Sequence, residues 1–184
     1  MSNRLHLSTE FKASSETKPD AIRAYQGVLK LCQIHRNDMN VERIEAALIM
    51  LAPFMPGLDT NAELTAKDKV CIYACYAKLL VDIGDLDAGL QCTQAALRFD
   101  PHDVKTINQS AAILRRMERQ PEAIELLENA RKIDPKDKFT LTLLAGCYED
   151  TDQHMNARKC YLATLVHNPE DHLAKRRLQE LTRY

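Results

Sequence analysis

The residues best suited to chemistry in this sequence are six cysteines and six histidines. Closely spaced pairs of these residues would indicate a zinc site, and a cysteine beside a histidine could act as a nucleophile. No CxxC pair occurs, and Cys71 and Cys75 lie one helical turn apart without histidines nearby. We therefore interpret the cysteines as small buried hydrophobic residues. The twelve residues are Cys32, Cys71, Cys75, Cys92, Cys147, Cys160, His6, His35, His102, His154, His167 and His172.

Other signatures of catalysis are also missing from the sequence. There is no GxSxG nucleophile elbow, no glycine-rich loop that could cradle a phosphate, and no HExxH metal motif. We therefore expect no catalytic residue, no cofactor site and no metal site. The prediction is a protein that is not an enzyme.

The composition and charge are those of a soluble protein. Hydrophobic residues make up 45% and charged residues 28% of the 184 positions, and the formal net charge is −1. A nucleic-acid binder usually carries a clustered basic excess, which this balance disfavours. No apolar run approaches the roughly 18 to 20 residues that span a bilayer, and residues 1–20 lack the apolar centre of a secretory signal. We therefore predict a cytoplasmic protein without nucleic-acid binding or membrane insertion.

The elements that would position any functional side chain are marked by three prolines. Pro101, Pro135 and Pro169 are separated by 34 residues and then by 34 again. Proline lacks an N–H and disfavours helical geometry at the residue before it, so it stops a helix. The aspartate two residues later can cap the next helix by accepting a backbone N–H. The three phrases are Asp100-Pro101-His102-Asp103, Asp134-Pro135-Lys136-Asp137 and Asn168-Pro169-Glu170-Asp171.

Three units aligned on these prolines, 70–103, 104–137 and 138–171, share a pattern of small and large residues. Eight of the nine residues at the eighth, twentieth and twenty-seventh positions are alanine or glycine, and large apolar residues recur at the fourth and eleventh. The pattern predicts two antiparallel helices per unit, with small residues where the backbones approach each other. The nine residues are Ala77, Ala111, Ala145, Gly89, Ala123, Ala157, Ala96, Ala130 and Thr164.

This pattern resembles the tetratricopeptide-repeat family over about 100 residues, plus the helix that follows. The resemblance implies an all-α fold, a right-handed α-solenoid of antiparallel helix pairs with a C-terminal capping helix. It also implies that the first helix of each unit lines a concave groove that binds a peptide or a segment of another protein. We therefore expect a non-catalytic adaptor or scaffold.

The family also implies which residues would face a ligand, namely positions 2, 5, 9, 12 and 13 of each unit. Asparagine can bond a peptide backbone as donor and acceptor, and arginine can hold a carboxylate through two nitrogens. We expect Arg115→Glu to weaken an acidic ligand and to leave folding intact. The alternative is that these are solvated residues without a ligand. The implied groove residues are Lys78, Asp82, Lys105, Asn108, Ala112, Arg115, Phe139, Thr142, Gly146 and Glu149.

One subfamily can be tested at individual positions. Its carboxylate clamp binds the C-termini of heat-shock chaperones through lysine, asparagine and arginine at five fixed positions of three units. Here those positions hold Ala74, Lys78, Gln109, Phe139 and Leu143, and none matches. We therefore reject the carboxylate clamp for these three units.

The two ends of the chain give weaker patterns. Residues 171–184 place leucines near one face of a charged helix, which predicts the terminal cap, with Lys175-Arg176-Arg177 on its solvated face. Residues 19–66 predict a helical pair and a linker, either a degenerate repeat stacked on the first unit or a separate hairpin used for dimerisation. Residues 1–18 are polar and predict a disordered N-terminal arm.

Two more specific functions stay open at this point. Small bacterial type III secretion chaperones are similar to this chain in size and repeat number, and they hold a secreted subunit in the groove. Alternatively, the N-terminal helices could self-associate, which would make the protein a homo-oligomeric scaffold.

Overall fold

The computed structural model describes residues 22–24, 26–27 and 41–181. These residues belong to two compact units, Met1–Leu64 and Thr65–Tyr184. Every regular element in the described part of the chain is a helix, as the predicted all-α class requires. None of these helices is long and apolar enough to cross a membrane. The arm predicted at residues 1–18 lies outside the described residues.

The first unit contains helix α1 (Val41–Leu51), followed directly by a 3₁₀ helix (Ala52–Phe54). Pro53 fits the first turn of the 3₁₀ helix, where its missing N–H costs little. Leu51 is fully buried, whereas Ile49 is largely exposed. Of the helix that the sequence predicts before α1, residues 22–24 and 26–27 are described, and they are helical.

The second unit is a right-handed α-solenoid of antiparallel helix pairs, as the sequence predicts. Its helices are α2 (Ala66–Asp82), α3 (Leu86–Phe99), α4 (Val104–Arg116), α5 (Gln120–Ile133), α6 (Lys138–Glu149), α7 (His154–His167) and α8 (His172–Leu181). Three pairs form, α2 with α3, α4 with α5, and α6 with α7. Each pair packs on the next through α3 and α4 and through α5 and α6, and α8 packs on α7.

The aspartate of each proline phrase caps the helix that follows, which is the role that the sequence predicts. Asp103 accepts the backbone N–H of Thr106 at 2.9 Å, and Asp137 accepts that of Thr140 at 2.8 Å. Asp171 caps α8 in the same way. An N-cap side chain of this kind stabilises a helix by roughly 1 kcal/mol.

The first repeat begins earlier than the aligned units predict. Helix α2 starts at Ala66, four residues before the predicted start at residue 70. Lys69 occupies the place that aspartate holds before α4 and α6, and a lysine side chain cannot accept a helix N–H. A capping box takes this role one turn earlier, because Thr65 and Asp68 each accept the backbone N–H of the other.

The small residues of the repeat pattern lie where the paired helices touch. The alanines at the eighth, twentieth and twenty-seventh positions are fully buried. Gly89 allows a close approach of α3 to α2, because a Cβ atom there would meet Val81 Cγ2 at 2.7 Å and the carbonyl oxygen of Ala77 at 3.3 Å. Larger side chains such as Leu114 fill the core beside these contacts.

The turn inside each unit has a left-handed residue at the same place. Gly84, Glu118 and Asp152 follow one another at intervals of 34 residues and have φ angles of 92°, 59° and 57°. Glycine adopts this region freely, whereas a side chain makes it unfavourable by roughly 1 kcal/mol. The second and third turns therefore carry a strain that the first turn does not.

Exchanging residues at this place should change stability in opposite directions. We expect Glu118→Gly to raise the free energy of unfolding by about 0.5–1 kcal/mol, and Gly84→Ala to lower it by about 1 kcal/mol. Urea denaturation followed by circular dichroism measures both. The control is Glu125→Gly within α5, which should lower stability by about 1 kcal/mol because glycine weakens a helix. A loss of stability in Glu118→Gly would show that the turn is not strained.

Candidate peptide-binding groove

The first helices of the repeats lie side by side and share one exposed face. Helix α4 contacts both α2 and α6. An ion pair of 2.6 Å between Lys138 and Asp171 joins the start of α6 to the start of α8. The exposed face of α2, α4, α6 and α8 is called the groove below, and it contains the positions at which the sequence predicts a ligand.

The predicted groove residues differ widely in exposure, which decides how a ligand could reach them. The exposed ones are Lys78, Asp82, Lys105 and Phe139. The partly exposed ones are Ala112, Arg115, Thr142 and Glu149. The buried ones are Asn108 and Gly146. Lys78 and Asp82 form an ion pair of 2.6 Å on the surface of α2, so they largely satisfy each other.

Asn108 uses its amide inside the protein. The residue is 8% exposed, its Nδ2 donates to Asp137 at 2.8 Å, and its Oδ1 accepts from Thr140 Oγ1 at 2.9 Å. Burial by itself would raise the pKa of Asp137, but hydrogen bonds from Thr140 and Asn108 outweigh burial and hold that pKa below its usual value. Asn108 therefore joins α4 to the start of α6, and its amide has protein partners on both its donor and its acceptor side.

Two further side chains of α4 bond to backbone carbonyls of α2. Gln109 Nε2 donates to the carbonyl oxygen of Ala74 at 2.9 Å, and Arg116 Nη1 donates to that of Val81 at 3.3 Å. Both links span 35 residues, which is one repeat plus one position. Neither link was predicted from the sequence. The only signal there was a polar side chain 35 residues after the residue whose carbonyl oxygen accepts the bond.

Arg115 forms a two-point ion pair between neighbouring units. Its Nε and Nη2 donate to the carboxylate of Asp150, at the end of α6, at 2.5 and 3.1 Å. The guanidinium lies against Gly146, where an added Cβ atom would stand 2.7 Å from Arg115 Nη1. Hydrogen bonding to Asp150 raises the pKa of Arg115, although partial burial opposes the rise. Arg115→Glu would place two carboxylates together, so the expectation that it leaves folding intact does not fit this geometry.

Glu149 is also paired within the protein. Its carboxylate bonds to Arg177 of α8, and Arg177 bonds to Glu180 at 2.8 Å. Hydrogen bonds to Tyr161, Glu180 and Glu149 raise the pKa of Arg177. The sequence predicts a solvated cap face at Lys175-Arg176-Arg177, and this is wrong for Arg177, which is partly buried and ties α8 to α6.

Four groove residues remain available to a ligand. Lys105 is exposed and has no ion-pair partner among residues 41–181, and Thr142 is partly exposed. Phe139 is 72% exposed and Leu173 is 40% exposed. Lys105, Phe139 and Leu173 share position 2 of successive repeats. The sequence places Leu173 on the packed face of the cap with Leu178 and Leu181, but only the latter two pack on the core.

Three of the thiols are poorly suited to nucleophilic chemistry. Burial, with a smaller contribution from a nearby carboxylate, raises the pKa of Cys92 and of Cys160 to about 11. Burial also raises the pKa of Cys147. Thiols of this kind are protonated at neutral pH and react slowly. In the described part of the chain, no three His, Cys, Asp or Glu side chains form a group that could hold a metal ion.

Comparison with known families identifies the repeat. The family described as "Psidin, N-terminal TPR repeats region" matches residues 72–178. The chain belongs to this tetratricopeptide-repeat family. Repeats of this kind are protein-interaction modules.

Individual relatives and solved structures support the same assignment. The TPR repeat-containing protein YpiA of Bacillus subtilis (strain 168) is 27% identical over 100 residues, which cover 54% of this chain and 24% of that protein. The chain thus spans about a quarter of the length of this relative. YrrB, described as a TPR protein with an unusual peptide-binding site, matches with a TM-score of 0.67 at 16% identity, over 94% of this chain and 84% of YrrB.

A third comparison is with a peptide complex. The first TPR domain of Spaghetti (RPAP3), bound to the HSP90 peptide SRMEEVD, matches with a TM-score of 0.61 at 14% identity. The match covers 65% of this chain and 97% of that domain. At such identities the likeness to these structures shows the fold alone.

The bond between Asn108 and Asp137 can be separated from helix capping by comparing two aspartates. We expect Asp137→Ala to lower the free energy of unfolding by about 2–3 kcal/mol, because it removes a cap and leaves the buried Asn108 amide short of a partner. Asp103→Ala is the matched control. Asp103 caps α4 in the same way, but the residue corresponding to Asn108 in the preceding unit is Ala74, so the loss should be about 1 kcal/mol.

Urea denaturation at neutral pH measures both losses, and equal losses would show that the Asn108 bond contributes nothing. The pH dependence supplies a second check. Because folding lowers the pKa of Asp137, its contribution to the free energy of unfolding is fully present at neutral pH. The contribution is lost as pH falls from about 4 through the folded-state pKa. The difference between the wild type and Asp137→Ala should therefore shrink in acid.

Gly146 and Arg115 should be energetically coupled. In an Arg115→Ala background, we expect Gly146→Ala to raise the free energy of unfolding by about 0.5–1 kcal/mol, because alanine is the better helix former. In the wild-type background this gain should vanish or reverse, because the new Cβ atom displaces the guanidinium from Asp150. A double-mutant cycle by urea denaturation measures the coupling. An equal gain in both backgrounds would contradict the contact.

Proposed function

We propose that residues 65–181 bind an extended segment of a partner protein in the groove, and that the protein acts as an adaptor or scaffold. The observation that carries the proposal is the exposure of Phe139, 72%, beside the start of α8, where Leu173 is 40% exposed. Large apolar side chains left exposed on one face of a folded protein are typical anchors for a ligand. Similar structures that bind a peptide, or are described as having a peptide-binding site, support this use of the groove.

Lys105 would give the ligand a preferred charge. Its ammonium group is exposed, whereas Arg115 and Arg116 of the same helix are engaged by Asp150 and by the backbone of α2. An exposed ion pair contributes only about 0.2–1 kcal/mol, so it would select and orient the ligand. Most of the affinity would come from burying an apolar side chain against Phe139, at roughly 25 cal/mol per Å².

The groove residues that bond to neighbouring helices form the base of the groove, called its floor, and their side chains are already ordered. Asn108, Gln109 and Arg115 each bond to a neighbouring helix of the solenoid or to the residue that caps it. Binding therefore needs to order few side chains of the protein beyond the exposed anchors, which limits the entropic cost of association. A rigid floor with a few free anchors suits a short segment bound in one register.

The proposed ligand differs from the peptide of the Spaghetti domain. That peptide ends in EEVD, and a clamp for its terminal carboxylate would need cations or amides at five groove positions. In this chain Gln109 is bonded to Ala74, and Phe139 and Leu143 are apolar. The peptide SRMEEVD is therefore a suitable negative control.

The proposal can be tested with the full chain and a phage-displayed library of random peptides. Selected peptides would be measured by isothermal titration calorimetry. We expect Phe139→Ala to weaken binding by roughly tenfold or more, and Lys105→Glu to weaken acidic peptides by about two- to fivefold. Lys132→Glu, an exposed lysine on α5 outside the groove, is the matched control for charge and should have no effect.

Two results would contradict the groove as the binding surface. The first is a set of selected peptides whose affinity is unchanged in both groove variants. The second is a defined oligomer of the unliganded chain, seen by light scattering, that Phe139→Ala dissociates. That outcome would mean that another copy of the chain occupies the groove, and that the protein is a self-assembling scaffold.

A further inference from the structure

Helix α7 has an apolar face that the solenoid leaves uncovered. Met155 is 69% exposed, Leu162 is 47% exposed and Val166 is 75% exposed. At about 100° per residue, these three side chains fall within an arc of roughly 40° on one side of the helix. Together they form an exposed apolar strip along one side of α7, which the exposed Lys159 borders between Met155 and Leu162.

The equivalent faces of the two preceding units are not apolar. In α3 and α5 the same three repeat positions hold only polar or charged residues and one proline. On α5, for example, Glu128 forms an ion pair of 2.6 Å with Arg131. The repeat pattern therefore does not require apolar residues here. The residues aligned with Met155, Leu162 and Val166 are Asp87, Gln94 and Arg98 in α3 and Pro121, Glu128 and Lys132 in α5.

The strip borders the surface on which the solenoid stacks its next unit. Leu90, Gln94 and Leu97 of α3 face α5 across a shallow cavity, and Glu128 and Arg131 of α5 face α7 in the same way. The corresponding residues of α7 are Arg158, Leu162 and Leu165. Within residues 65–181 only α8 follows α7, so no second helix of a further pair lies against this surface. Leu162 thus belongs both to the strip and to a stacking surface that residues 65–181 leave uncovered.

The charged residues of α7 itself that lie beside the strip are of one sign, although Glu128 of α5 lines the same cavity as Lys159. Arg158 and Lys159 are exposed on α7, and α7 contains no acidic residue. By contrast, α5 carries three glutamates, Glu122, Glu125 and Glu128. A helix that stacks on α7 would therefore meet an apolar line flanked by two cations. Charge complementarity selects a partner with acidic residues beside its apolar face.

We propose that the exposed face of α7 binds an amphipathic helix of a partner protein whose apolar stripe is flanked by aspartate or glutamate. The partner helix lies along the strip, at the edge of the place where the second helix of a further repeat would lie. Its apolar residues cover Met155, Leu162 and Val166, and its carboxylates meet Arg158 and Lys159. This site is separate from the groove, so the proposal does not depend on a ligand binding there.

The test uses the full chain and two synthetic helical peptides of about 18 residues, long enough to form a helix. Both have leucine at the a and d positions of the heptad, and the remaining positions are mostly glutamate in one and mostly lysine in the other. Fluorescence anisotropy measures their dissociation constants. We expect the acidic peptide to bind at least roughly tenfold more tightly than the basic one. Amide chemical shifts in NMR spectra should change mainly in α7 and α8.

Substitutions separate the apolar and the charged parts of the site. We expect Leu162→Ser and Val166→Ser each to weaken the acidic peptide by roughly tenfold, and Arg158→Glu with Lys159→Glu to remove the preference for it. Gln94→Ser, at the matching place on α3, is the control and should have no effect. Because Val166 is 75% exposed, Val166→Ser will not unfold the core, and circular dichroism verifies this.

Three outcomes would overturn the proposal. The first is that the acidic and basic peptides bind equally well. The second is that Leu162→Ser and Val166→Ser leave the affinity unchanged. The third is that the changes in amide chemical shift fall in the groove. A fourth outcome concerns self-association. If the unliganded chain is a dimer by light scattering and Leu162→Ser makes it a monomer, a second copy covers the strip and no acidic partner is required.

Discussion

The close approach of paired helices is the constraint on which the rest of the solenoid depends. Buried small residues at three positions of each unit, seven alanines together with Gly89 and Thr164, let two backbones come within contact distance. A larger residue at any of these places would separate the helices and tilt the next unit. Because each unit contacts only its neighbours, such an error would be carried along the array. The position of the groove residues is thus decided by residues that no ligand touches.

Polar links between units form a second layer of this design. Asn108, Gln109, Arg115 and Arg116 all reach from α4 to the units on either side. Apolar packing alone would hold neighbouring helices together but would specify their register weakly, whereas directional hydrogen bonds allow few alternatives. These links occupy the groove floor, where a peptide would lie. Part of the polar chemistry of that face therefore serves the stacking of the units.

The residues differ in how far the sequence could predict them, and the reason is physical. Ala111 packs within its own unit and Asp137 caps the helix that directly follows it, so a pattern repeated every 34 residues reveals them. Asn108 and Arg115 have partners 29 and 35 residues away, and a side chain able to bind a peptide is equally able to bind the neighbouring unit. Lys69 stands in the sequence where the other units have a capping aspartate. The start of α2 after Thr65, however, depends on a local capping box. A comparison of the aligned repeat sequences could have indicated the strip on α7. Apolar residues lie on every side of that helix, however, so the sequence does not single out one apolar face.

The two uncovered surfaces follow from one property of a repeat array. A stack of identical units buries each apolar face against the next unit, and Phe139 and Leu162 stay exposed at positions that are charged in the unit before. At the second position Phe139 stands where the preceding unit has Lys105, and at the twenty-fifth Leu162 stands where the two preceding units have Gln94 and Glu128. An exposed apolar side chain at either place lowers solubility. It does not disturb the packing inside the solenoid, because the neighbouring helices already pack against each other. Both places also fall in the last complete unit, next to α8, where a bound segment can contact two successive repeats. A partner bound there would stabilise the packing of α8 on the last unit, which the ion pair between Glu149 and Arg177 already supports. The reason is mass action, since a ligand that binds only the packed state stabilises that state.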